Sequence, residues 1–261
     1  MNVLALASYP IEAAATRYRL HQFVRPLEER GIQLIIRPFI DSRLFAELYD
    51  RGRMGRTAAG LLHAALKRLG DLAAARQADV LLVQREAMLF GPPLIEWLAK
   101  TASRCPMVLD LDDATYLPYV SPTYGRLAKW LKWFSKTDDL IRWSRIVTCA
   151  NRAIAQYVSS KGAAARFIPT VVDTELFKPK QRPAGNEAPV VGWIGTHSTY
   201  PYLELVFPVL EELARSYKFN LKIVGAGRDT ISVAGVTTYG TPTAMYWIAL
   251  KPDLPAAQRS A

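Results

Sequence analysis

Three acids stand close together in Asp110-Leu111-Asp112-Asp113, at the end of an apolar run that begins at Met107. Alternation about Leu111 puts Asp110 and Asp112 on one face of an extended strand. Carboxylates gathered at a strand's end can take a proton, hold a metal or accept hydrogen bonds from sugar hydroxyls; one of them can equally cap the next helix. Arg17 and Arg19 follow the first apolar run, at what reads as the start of a helix. Arginine there can clasp a phosphate or carboxylate with both arms, or stay a solvated surface residue. Much later, Gly195-Thr196-His197-Ser198-Thr199 lies between an apolar strand and a helical stretch. Main-chain amides and hydroxyls in such a loop suit phosphate oxygens, although Ser198 or Thr199 acting as a plain helix cap accounts for the same residues. Gly225 and Gly227, with Arg228 behind them, follow the next strand. This pair falls short of a full Gly-x-Gly-x-x-Gly, and simple turns use the same residues. Two such loops at the ends of adjacent strands would face one crevice, which points to a diphosphate site.

Other chemistries find less support. Cys105 and Cys149 lie far apart beside apolar stretches and read as buried thiols, with no disulfide framework. His21, His63 and His197 share no ligand-like spacing, so no metal is expected. The chain opens directly on an apolar strand, without a basic lead, and no stretch approaches the ~20 apolar residues of a membrane span. A cytoplasmic protein is therefore expected. Hydrophobic residues make up 50% and charged residues 21% of the 261, which rules against disorder. The formal net charge of +10 lies almost wholly before residue 190. Such a face attracts polyanions, whether nucleic acid, anionic lipid or phosphorylated substrates.

The elements that would position these residues alternate. Strands are expected at 2–8, 32–39, 79–84, 107–111 and 145–149, with Arg166-Phe167-Ile168-Pro169 closing the series. Helices are expected at 16–30, 43–77, 92–100 and 124–136, with Asn151 capping another. This rhythm predicts a parallel sheet with helices on both faces and its chemistry at the carboxyl ends of the strands, in the loops after Ser8, Gln84, Leu111 and Cys149. The Pro-rich stretch 179–189 reads as a linker between a first domain, 1–178, and a second, 190–261. The second repeats the rhythm with strands at 190–195 and 221–225 and a helix at 202–217.

Two segments combine basic and apolar residues. In 124–136, Arg126, Lys129, Lys132 and Lys136 interleave with Leu127, Trp130, Leu131 and Phe134, and 51–76 carries six basic residues against Asp71 alone. Both fit a peripheral contact with a membrane surface, and both fit ordinary helices packed on a core. A platform of aromatic and basic residues on strands is missing, so nucleic acid is not expected as a partner.

Several stretches in order carry a resemblance. They are Ser8-Tyr9-Pro10 with Thr16-Arg17-Tyr18-Arg19, Val108-Leu109-Asp110-Leu111-Asp112-Asp113, Ile168-Pro169-Thr170-Val171-Val172-Asp173, Gly192-Trp193-Ile194-Gly195-Thr196 and Leu221-Lys222-Ile223-Val224-Gly225. Over residues 1–228 the chain resembles the group-1 (family 4) glycosyltransferases. The resemblance implies a GT-B architecture: α/β, with two Rossmann-like parallel-sheet domains. It implies a retaining transfer of a sugar from a nucleoside-diphosphate sugar to a sugar or lipid-linked acceptor, in the synthesis of cell-surface polysaccharide or glycoconjugate, without a cofactor or required metal. The donor diphosphate would lie on Gly195–Thr199, Gly225, Gly227 and Arg228; the acceptor side would include Arg17, Arg19, Asp112 and Asp113. The Glu-x7-Glu segment of that family has no counterpart after Gly240. The second domain is thus expected to be incomplete, the chain truncated and its own activity impaired. The alternative is a non-catalytic basic module that binds anionic membrane or glycolipid, peripheral on the membrane's inner face.

Overall fold

The structure is a computed structural model that describes residues 1–48, 52, 54–118, 131–179, 188–195, 199–227 and 231–241. The chain divides into two compact units, 1–177 and 178–260.

The first unit is built on a six-stranded parallel sheet in the order β2-β1-β3-β4-β5-β6. The strands are β1 (Asn2–Ala7), β2 (Gln33–Pro38), β3 (Val80–Gln84), β4 (Met107–Leu111), β5 (Ile146–Cys149) and β6 (Ala165–Phe167). The three central strands are continuous apolar runs because helices cover both of their faces. Leu4, Leu6, Leu81, Val83, Leu109 and Leu111 are all buried in one core with residues of the surrounding helices. From β1 the chain steps to β2 on one side and to β3 on the other, so the sheet's switch point lies between β1 and β3.

The helices are α1 (Ala14–Arg19), α2 (Val24–Glu28), α3 (Ser42–Glu47), α4 (Met54–Ala75), α5 (Leu94–Ser103), α6 (Lys136–Trp143) and α7 (Arg152–Ser160). The single helix expected over 16–30 is broken by a 3-10 turn at His21–Phe23. Pro26, lacking an N–H, sits in the first turn of α2, where the amide has no intrahelical partner to lose. Gly31 then ends α2 with φ of +73°. The region 43–77 is two helices, with Asp41 capping α3 through the Leu44 amide at 2.8 Å. Most of the helix expected at 124–136 lies outside the described residues; Lys132–Ser135 is not helical, and α6 begins at Lys136. Asn151 caps α7, its side chain accepting from the Ile154 amide at 2.8 Å.

The second unit holds a parallel three-stranded sheet, β7 (Val190–Ile194), β8 (Asn220–Val224) and β9 (Thr237–Thr241), in the order β7-β8-β9. The expected helix 202–217 is two, α8 (Tyr200–Glu204) and α9 (Phe207–Ala214). Pro208 at the start of α9 forces the restart. Leu203 and Leu210 of these helices pack with Leu221 and Ile223 of β8.

Candidate functional site

In the first unit, register sets a polar row across the carboxyl edge of the sheet. Gln84 of β3 pairs with Asp110 of β4, and Asp110 pairs with Thr148 of β5. Paired residues share a face of the sheet, and α1 lies over this one. Thr16 and Arg19, one helical turn apart, reach different strands. The Thr16 hydroxyl donates to Gln84 Oε1 at 3.2 Å or to the Tyr9 carbonyl at 2.9 Å. Arg19 forks onto the Asp110 carboxylate, with Nε 3.0 Å from Oδ2 and Nη2 on Oδ1, while Nη1 donates to the Ile168 carbonyl at 2.7 Å. Thr148 Oγ1 adds a donor to Asp110 Oδ1 at 2.5 Å. Burial opposes the charge on Arg19, but the hydrogen bond and field of Asp110 outweigh it and raise its pKa.

A second fork stands just beyond the strands. Arg85, the first residue after β3, takes φ of +61°, an uncommon backbone for a side chain other than glycine. Its Nε and Nη2 donate to the two carboxylate oxygens of Asp112, each at 2.6 Å. Burial works against this guanidinium too, and Asp112 again overrides it, so its pKa is raised. The Glu86 carboxylate, next along, lies 2.8 Å from Lys136 Nζ and 3.3 Å from Lys132 Nζ. Arg68 of α4, only 1% exposed, ties together the ends of β1 and β2 and the loop after β3. It donates to the carbonyls of Ala7 at 2.9 Å, Arg37 at 2.9 Å and Ala87 at 3.0 Å, and pairs with Asp71 at 2.8 Å.

The expected acceptor-side residues therefore differ in what they offer. Arg19, the last residue of α1 rather than one at its start, is committed to Asp110 and Ile168. Arg17 donates to the carbonyls of Ile11 and Glu12, both at 3.2 Å, and lies over the Tyr18 ring. Asp112 has both oxygens on Arg85, and its side chain is 12% exposed, against 73% for Asp113. Of the three acids it is Asp113 that faces solvent, with Oδ1 accepting from the Ala114 amide at 2.8 Å. Sequence reasoning missed Arg68, Arg85, Glu86 and Lys136 in these roles, and counted Arg68 and Lys136 only among the basic residues of the segments 51–76 and 124–136. Cys149 is buried, and burial pushes its thiol pKa up; Cys105 is half-buried rather than buried, and both are free thiols.

In the second unit the two glycine loops come together. Ile194 pairs with Val224, and the Gly195 amide donates to the Val224 carbonyl at 3.0 Å. Gly225 and Gly227 then take φ of +83° and +69°. A Cβ at Gly195 would lie 2.4 Å from Trp193 Cζ2 and 2.7 Å from Thr199 Oγ1, so only glycine fits there without a shift. Thr199 makes no side-chain cap to α8. Thr196, His197, Ser198 and Arg228 lie outside the described residues. A cavity of about 320 Å³ lined by Tyr217, Lys218 and Thr237 is at the opposite, amino-terminal edge of this sheet, away from the glycines.

No family model matches the chain, and no curated protein matches it in sequence. Its fold is similar to that of UGT89C1 from Arabidopsis thaliana, solved with UDP, at TM-score 0.50 and 11% identity, covering 95% of this chain and 72% of that one. An alpha-glucosyltransferase solved with UDP and a 13-mer DNA containing a central A:G mismatch matches at TM-score 0.49 and 9% identity, over 92% of this chain and 66% of that one. The glycotransferase of kitacinnamycin matches at 0.45 and 14%, over 92% and 70%. Two parallel-sheet α/β units in one chain are the fold class of the GT-B glycosyltransferases, and at these identities the likeness is one of fold.

Proposed function

We propose that the chain is a glycosyltransferase of the GT-B kind, related to the group-1 (family 4) enzymes. In this reading a sugar passes from a nucleoside-diphosphate donor to a sugar or lipid-linked acceptor, with retention and no required metal. The observation that carries it is the meeting of Gly195 with Val224 and Gly225 at neighbouring strand ends, in a fold similar to that of a protein solved with UDP. Small residues there would let a diphosphate approach the main chain of the loops after β7 and β8, and main-chain donors fixed in that way suit the charge that grows on a leaving diphosphate. Gly195, Thr196, His197, Ser198, Thr199, Gly225, Gly227 and Arg228 are the proposed donor side. On the acceptor side the forks of Arg19 and Arg85 would hold the strand ends, and Asp113 would accept a hydrogen bond from an acceptor hydroxyl.

Thermal denaturation of the whole chain with UDP, GDP or ADP at millimolar concentration tests this. A nucleotide at a hundred times its dissociation constant stabilises by about 2.7 kcal/mol. One of the three is expected to raise the melting temperature, and to slow hydrogen exchange at the ends of β7 and β8. Indifference to all three would falsify the reading.

A further inference from the structure

We propose that the exposed face of α4 is a docking surface for an anionic lipid bilayer. This 22-residue helix turns Thr57, Ala64, Arg68 and Ala75 inward. On the other side Leu62, Leu66 and Leu69 are 63%, 61% and 47% exposed, and exposed Ala59 and Ala73 extend the same line in steps of three and four. Single exposed leucines are ordinary, but a helix packed on a core normally shows a polar line there, and a continuous apolar one marks an interaction face. Beside it run Arg56, His63 and Lys67, all exposed. Arg56 Nη2 lies 3.5 Å from Glu47 of α3. The one acid of α4, Asp71, is held by buried Arg68. The face is thus a stripe of leucine and alanine with Arg56 and Lys67 along one edge.

The surroundings extend it. Leu61, Ala64 and Ala65 of α4 pack with Met88, Leu89 and Phe90 of the loop after β3. In that loop the Gly91 amide donates to the Leu131 carbonyl at 3.0 Å, and Leu131 and Trp133 there are 49% and 50% exposed. Leucine flanked by base, with tryptophan nearby, is the composition of a surface that lies in a headgroup layer.

Charge selects the occupant. A second copy set against this face would bring Arg56 and Lys67 of both chains together, with no exposed acid on either helix and with Glu47 already beside Arg56. Nucleic acid would meet the basic residues and leave the leucines in water. An anionic bilayer answers both, its headgroups taking the cations while the leucines enter the boundary of the acyl chains. The inference stands apart from glycosyl transfer, since no nucleotide or acceptor enters it, and failure of either leaves the other intact.

Co-sedimentation of the full chain with vesicles of phosphatidylcholine, alone or with about 30 mol % phosphatidylglycerol, is the test. The anionic vesicles are expected to bind at least about tenfold more tightly. Changing Leu62, Leu66 and Leu69 together to Gln should cost at least about tenfold, with an unchanged melting temperature because the side chains are exposed. Should that variant melt early, Lys67→Glu decides; it should weaken anionic binding by about tenfold. Equal binding to neutral vesicles, or wild-type binding by Lys67→Glu, overturns the proposal. So does a dimer or an oligonucleotide complex that forms while vesicles stay free.

Discussion

The first residue after β3 and the first after β8 meet the same demand in different ways. Gly225 turns out of its strand with φ of +83°, at no cost to a residue without a Cβ. Arg85 makes the same turn at +61°, and its guanidinium is then fixed on Asp112 by two hydrogen bonds of 2.6 Å. One unit thus shapes its strand ends with bare main chain, the other with cross-linked charges drawn from separate elements. The glycine edge makes its turns without side chains, and the Gly195 amide there is given to the Val224 carbonyl. The charged edge has already satisfied most of its ions internally and presents Asp113.

Breaking the clamp under the charged edge gives the largest expected effect. Arg68→Met leaves the Asp71 carboxylate and the carbonyls of Ala7, Arg37 and Ala87 without their donor. Removing one partner of a buried charged network costs about 3–5 kcal/mol. Hydrogen exchange should show β1, β2 and β3 losing protection while β7 and β8 keep theirs. Unchanged protection in the first unit would mean that the helix packing of α4, not its guanidinium, holds the strand ends.

A pair of substitutions at Arg85 sharpens the comparison by separating backbone from charge. Both Arg85→Ala and Arg85→Gly lose the fork on Asp112, but only Ala keeps a Cβ in the left-handed region. Gly should therefore be the more stable of the two by about 1 kcal/mol, read from urea denaturation midpoints at constant slope. The difference measures what the first unit pays to place an arginine where the second uses glycine. Equal midpoints would show that Arg85 carries no backbone strain.

Much of this division was open to sequence reading, and the rest was hidden for physical reasons. The runs Asn2–Ala7, Val80–Gln84 and Met107–Leu111 announce strands because both their faces are buried. The glycine edge was readable because Gly195, Gly225 and Gly227 act through their own backbone, close to where they stand in the chain. The charged edge was not. Arg68 and Ala7 are separated by 61 residues, Arg19 and Asp110 by 91, and nothing local marks such partners. α6 escaped notice because its buried face mixes apolar Leu140 and Ile141 with polar Lys136 and Thr137, so no apolar stripe marks it. β9, Thr-Thr-Tyr-Gly-Thr, lacks the apolar run that reveals the other strands.

Acid should also set the two units apart, with the smallest effect. His21 lies in the 3-10 turn between α1 and α2, where burial lowers its pKa from the ordinary 6.5 and the nearby Glu12 only partly restores it. The folded chain thus binds this proton less readily than the unfolded chain does. Above about pH 6.5 both states hold a neutral imidazole and His21 adds nothing to the pH dependence. As the pH falls through that value, the unfolded state gains the proton first and stability declines. Asp138 acts lower in the scale. Burial would raise its pKa, but hydrogen bonds from Lys161 and Tyr157 outweigh that and lower it, so its contribution is present above about pH 3.8 and is lost as the pH falls further. Both residues belong to the first unit. Hydrogen exchange followed from neutral pH to about pH 5, corrected for intrinsic rates, should therefore show β1 and β2 loosening before β7 and β8. His21→Gln should flatten that decline, because the side chain no longer takes up a proton in this range. A decline of the same slope in the variant would assign the acid sensitivity to another group.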